Sequence, residues 1–135
     1  MLNRRQLAAA FTGALALGAL LAFSPLATAM SGQTYDQKAF EAAQSAGKSI
    51  LLHVTAPWCP TCKVQTPILG KLEALPKFEP LVVFNIDFDT SKALLRELRV
   101  SQQSTMIVYK GKDEVGRETG NTDPASIEAL LAKAI

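Results

Sequence analysis

The sequence predicts an α/β fold: a mixed central β-sheet flanked by helices on both faces. Three observations carry this. Segments with helical spacing of apolar residues alternate with short apolar runs, the order expected when strands are linked through helices. Two of those runs, 49–55 and 81–87, are apolar almost throughout, as strands covered on both faces are. Near the end, two strand-like runs meet at a glycine turn, which predicts a hairpin and an antiparallel component.

Arg4 and Arg5 precede an uncharged run from Leu7 to Phe23, then Pro25 and Ala27-Thr28-Ala29. Positive start, apolar middle and small-residue end predict a secretory signal peptide over residues 1–29, cut after Ala29. The paired arginines admit the twin-arginine route beside the general Sec route, and either predicts a periplasmic address. The run is short for a bilayer span, so the membrane enters only through this segment before cleavage. Residues 30–135 then make one domain.

Residues 30–33 read as a polar lead or short edge strand. Thr34 with Gln37 fits a capping box for a helix to about Ala46, with Phe40, Ala43 and Ala46 inward and Gly47 as its stop. A strand over 49–55 follows, and a helix begins near Cys59 with Val64, Ile68, Leu72 and Leu75 facing the sheet. Pro67 kinks that helix and Pro76 marks its end. After the strand 81–87, Ser91 caps a short helix through Arg99, burying Leu94, Leu95 and Leu98. Thr105 to Lys110 is a strand, Gly111-Lys112-Asp113 a turn, and 114–119 its antiparallel return. Asp123 caps a last helix with Pro124 at its first position and Ile127, Leu130, Leu131 and Ala134 as its apolar stripe.

The chain holds 14 basic and 12 acidic residues. Arg4 and Arg5 leave with the leader, so the domain is formally neutral, and the sequence pI near 8.6 belongs to the precursor. No basic patch is present, which excludes nucleic acid as a partner class.

Both cysteines lie in Trp58-Cys59-Pro60-Thr61-Cys62. Two thiols separated by two residues can close into a small disulfide ring and reopen. A bridge across so short a loop removes little chain entropy, so a reactive role is favoured over a structural one. The structural alternative is a zinc half-site. Zinc takes four Cys, His or carboxylate ligands. With no third cysteine and one histidine, the chain falls short of a thiolate-rich site of its own, leaving only a cluster shared between two chains.

Trp58-Cys59-x-x-Cys62-Lys63 at a strand-to-helix junction resembles the thioredoxin family, and the resemblance covers residues 34–135. Pro67 matches the family's helix-kinking proline, Asn85-Ile86-Asp87 its third strand, and Gly120 the glycine after its last strand. The lead-in Ala42-Ala43-(x)3-Gly47-Lys48-Ser49 is similar to thioredoxin-like domains of bacterial envelope electron carriers. The resemblance implies the thioredoxin fold and thiol–disulfide exchange without a cofactor. Unpaired N–H groups and the helix dipole favour a thiolate at Cys59, making it the exposed nucleophile and Cys62 the buried resolving thiol. Pro60-Thr61 replaces the usual Gly-Pro and tunes the redox poise; proline at 60 resembles oxidising members. Trp58 flanks the sulfur and limits water access, or simply shields a core edge. Lys63 adds modest positive potential or is simply solvated.

Three positions depart from the family pattern. His53 stands where the family places a buried aspartate; it acts as a neutral base toward Cys62, or it is a satisfied core histidine. Ser104 takes the place of the family's cis-proline, whose loop pairs with the incoming peptide. A cis bond before a non-proline residue costs roughly 2.5–4 kcal/mol, so Gln103–Ser104 is expected trans. The Ser104 hydroxyl is expected near Cys59, with added space for a ligand or metal, or as an ordinary loop residue. Thr55 replaces an aromatic residue, which makes that side smaller and more polar. Two functions are thereby in view. One is an exported oxidoreductase acting on envelope protein thiols and disulfides, with a membrane thiol carrier as electron source or sink. The other is a binding module whose cysteines are metal or partner ligands without catalysis.

Overall fold

The computed structural model describes residues 32–135. The signal-peptide reading, 1–29, and the first two residues of the expected domain lie outside the described residues. The elements are β1 (Gln33–Thr34), α1 (Gln37–Ser45), β2 (Ser49–Thr55), α2 (Pro60–Glu73), a 3-10 turn (Pro76–Phe78), β3 (Leu81–Asp87), α3 (Lys92–Glu97), β4 (Thr105–Lys110), β5 (Asp113–Thr119) and α4 (Pro124–Ala132). They build one five-stranded sheet in the order β1-β3-β2-β4-β5. β2 pairs parallel with β3 and antiparallel with β4, so the expected mixed sheet is present. No helix among the described residues is long and apolar enough to cross a membrane.

β2 is central because its side chains are apolar on both faces. Leu51 points into one layer with Leu69, Leu72, Met106, Ile127 and Leu131, under α2 and α4. Ile50, Leu52 and Val54 point into the other, with Phe40, Phe84, Leu95 and Ile107, under α1 and α3. Side chains alternate along a strand, so His53 and Thr55 belong to the Leu51 layer, the one that carries α2. The parallel connection from β2 through α2 to β3 puts the start of α2 at the C-terminal end of the central strands. α4 crosses β5 closely: a Cβ on Gly116 would meet Leu130 Cδ1 at 2.9 Å, so a larger residue there would make the Leu130 side chain shift.

Several local expectations are corrected. Thr34 sits in β1, paired with Asn85, and the cap of α1 is Asp36, whose Oδ1 accepts the Ala39 N–H at 2.8 Å. An aspartate three residues before a free helical N–H outcompetes a threonine whose backbone is already in a ladder. Ala46 is exposed, since it lies past the last turn of α1. The buried stripe of α2 is Cys62, Gln65, Leu69 and Leu72. Of the expected stripe, Leu72 is buried and Ile68 packs against the same core, but Val64 and Leu75 are 48% and 38% exposed, so the stripe is rotated from the expected one. Helix α3 ends at Glu97 rather than Arg99, and Ser91 precedes it without a side-chain capping bond. Strand β5 begins at Asp113, so the hairpin loop is Gly111-Lys112. The Asp123 cap, Pro124 and the stripe of α4 are as expected.

Candidate active site

Helix α2 starts in the redox motif. Cys59 is its N-cap, in extended backbone, and its Sγ accepts the Cys62 N–H at 3.0 Å. Pro60 occupies the first helical position, where a missing N–H costs nothing and the fixed φ suits the turn. One turn of helix brings the two Cα atoms to 5.3 Å, and the sulfurs are joined as a disulfide. Pro60 is exposed and Thr61 partly so, forming the outer rim. The sulfurs themselves are covered: Cys59 is 0% and Cys62 3% exposed, so the expected exposed Cys59 is corrected for the closed form. Ala56 and Phe88 pack around them.

The cover continues into the turn after β3. Trp58 is half exposed and pinned at its edge: Nε1–H donates to Asp89 Oδ2 at 2.8 Å, and the ring meets Phe88 edge-on at 6.3 Å. Asp87 Oδ1 accepts the N–H groups of Asp89 and Thr90 at 2.8 and 2.9 Å. Hydrogen bonding, led by the Thr90 N–H, holds the Asp87 carboxyl below its ordinary value. Lys92 Nζ sits 3.9 Å over the Phe88 ring, a cation–π contact. Trp58 thus flanks the site by way of Phe88 and Asp89.

His53 is buried, and its Nε2 lies 3.0 Å from Gln65 Oε1. The Asn85 side chain is a further hydrogen-bond partner, and burial pulls the imidazole pKa below its ordinary value. His53 therefore reaches α2 one turn beyond Cys62. Ser104 follows a trans bond, is buried, and has φ +59. Its hydroxyl donates to Gln103 O at 2.5 Å, within its own loop. Its N–H donates to Val54 O at 2.8 Å, and Cys62 Sγ lies 4.0 Å from that same carbonyl oxygen. Ser104 is thus beside the disulfide through its backbone, with the hydroxyl bonded inside its own loop. Thr55 lines a cavity of about 560 Å³ with Ala56, Cys62, Pro67 and Asp87. Its walls are mainly carbon, so the small residue opens room without making this side polar. Among the described residues, no three His, Cys, Asp or Glu side chains converge as metal ligands.

The thioredoxin family model matches residues 31–133. The chain belongs to the thioredoxin family. It is 33% identical over 88 residues to the H-type thioredoxin of Fagopyrum esculentum, covering 65% of this chain and 73% of that one. It is 32% identical over 84 residues to the thioredoxin of Chlamydia trachomatis, covering 62% and 80%. Among solved structures, Trxlp from Edwardsiella tarda superposes with a TM-score of 0.73 at 44% identity, over 75% of this chain and 98% of that chain. The protein is accordingly a thioredoxin-family redox protein, a thiol–disulfide oxidoreductase by class, with Cys59 and Cys62 at bonding distance.

Within this thioredoxin-family site, the sequence alone did not point to Gln65, Phe88, Asp89 and Asn121. Gln65 is fully buried, and its Nε2 donates to Ser104 O at 3.1 Å and to Asn121 O at 2.8 Å. The signal was available: counting from Cys62 rather than Val64 places a lone polar residue in an apolar stripe. Asp87-x-Asp89-Thr90 has the spacing of an Asx turn, which is the mark of the covering loop.

Proposed function

We propose that this thioredoxin-family protein is exported to the periplasm and exchanges disulfides with envelope proteins through Cys59 and Cys62. A membrane thiol carrier supplies or accepts the electrons. The observation that carries the reading is the closed Cys59–Cys62 bridge at the N-terminus of α2, with the Cys62 N–H directed at Cys59 Sγ. On opening, that N–H and the positive end of a 14-residue helix favour a thiolate on Cys59.

In the reducing direction, the Cys59 thiolate attacks one sulfur of a partner disulfide. The Cys59–partner bond forms and the partner's other sulfur leaves as thiolate. Cys62 then loses its proton and attacks Cys59 Sγ, restoring the intramolecular bridge and releasing the second partner thiolate. Two electrons pass to the partner, and a membrane thiol carrier reopens the bridge. The oxidising direction runs the same steps backwards. The leader over residues 1–29 supports the address. Residues 60 and 61 form the rim a partner meets first.

An insulin-reduction assay tests the chemistry: the wild type turns over with added thiol and Cys59→Ser does not. Absence of thiol-dependent turnover in the wild type would sink the reading. Cys62→Ser expressed in the native envelope should trap mixed disulfides on Cys59, which mass spectrometry then names. N-terminal sequencing of the envelope form should begin at Met30; recovery of the full-length chain from the cytoplasm alone would overturn the address.

A further inference from the structure

We propose that Gln65 is a positioning residue for disulfide exchange, its amide clamping the loop at Ser104 and the ring of His53 to the redox helix. The argument begins with what a buried amide can do. Its nitrogen offers two N–H donors and its oxygen only accepts. The two donors of Gln65 go to two backbone carbonyls, Ser104 O and Asn121 O. That assignment fixes the orientation of the amide, so Oε1 is the atom facing His53 Nε2. An oxygen that only accepts requires a proton on Nε2. His53 is thereby set as the Nε2–H tautomer, with its Nδ1 lone pair on the other side of the ring.

The clamp acts next to the sulfurs. Gln65 follows Cys62 by three residues on the same buried face of α2. The carbonyl it holds belongs to Ser104, whose N–H donates to the Val54 oxygen, 4.0 Å from Cys62 Sγ. Ser104 has φ +59, a backbone state that a residue with a Cβ rarely adopts. It persists here under three backbone restraints: the bond to Val54 O, the Gly120 N–H on its own carbonyl, and the Gln65 amide on that same carbonyl. Ser101 and Gln102, just before it, are exposed, and in the exchange proposed above a polypeptide partner meets this loop beside the disulfide. The amide also reaches the loop after β5 at Asn121, whose side chain bonds Ser126 in α4. One side chain thus joins the redox helix to the two loops beside it, while a small thiol needs neither loop.

The inference rests on the exchange reading above. Two measurements separate its failure from a failure of that reading. First, Gln65→Met keeps the side-chain length and removes all three bonds. KM for a protein disulfide should rise about tenfold, the effect of losing the one buried hydrogen bond that holds Ser104 O, with kcat within about twofold. The rate of bridge reduction by dithiothreitol should stay at the wild-type value. Unchanged kinetics toward the protein substrate, or an equal loss toward dithiothreitol, overturns the clamp. Second, ring-nitrogen NMR of the oxidised wild type should show His53 protonated at Nε2. A proton on Nδ1 alone would mean a reversed amide and would overturn the clamp whether or not the variant folds. A wild type inactive on insulin refutes the exchange reading, and the NMR result still decides the amide.

Discussion

His53 is buried at the centre of the sheet, and its environment makes a pH-dependent statement about stability. Burial lowers its folded pKa below the 6.5 of an unfolded histidine. Between those two values the unfolded chain binds the extra proton, so stability falls as pH drops from about 6.5 toward the folded value and levels off below it. Denaturation at pH 7.5 and 5.5 should show this loss in the wild type and a smaller one in His53→Gln; parallel slopes would refute the assignment. At this scale the cysteine pair was legible, because thiol spacing alone dictates what can bridge. The partners of His53 and Ser104 were not. They are contacts between α2, β2 and two loops, set by packing that no local pattern records. Ser104 shows the limit well: the missing proline correctly implied a trans bond, but not the direction of the hydroxyl.

Among the elements, β2, β3 and β4 were readable to the residue, since a buried strand must stay apolar until its polar ends. Helix α2 was placed correctly but turned wrongly. Its polar and apolar residues fit two phases that share Leu72, and the disulfide decides between them by holding Cys62 inward. Mutagenesis checks the corrected phase. Leu69→Ala should cost about 2–5 kcal/mol, the range for emptying a core leucine site, whereas Val64→Ala should stay within about 0.5 kcal/mol as an exposed change. Equal effects would return α2 to the phase read from sequence. At the other end, Asp123 Oδ2 accepts the Ser126 N–H at 2.8 Å. Asp123→Ala should cost about 1 kcal/mol, measured by urea denaturation.

The whole molecule joins a firm two-layer core to a small redox ring at one end of it. Closing a loop of four residues constrains the unfolded chain little, so reduction should lower stability by no more than about 2 kcal/mol. Denaturation with and without reductant checks this, and a loss of cooperative unfolding on reduction would contradict it. The fold was legible because the strand and helix patterns agreed with one another over residues 34–135; the shape of the site depended on how separate layers meet. That shape has a kinetic meaning. With Cys59 fully covered and Cys62 3% exposed at the wall of the neighbouring cavity, the closed form offers little sulfur to a passing thiolate. Attack on Cys59 would then need a fluctuation that uncovers its sulfur, and the observed rate would be the intrinsic rate scaled by the fraction of time spent open. A protein that grips the opened form raises that fraction by its own binding, while free thiols and oxidants in the surroundings do not. Burial of the bridge would on that account act as a filter in time, favouring partners that stay bound while it opens.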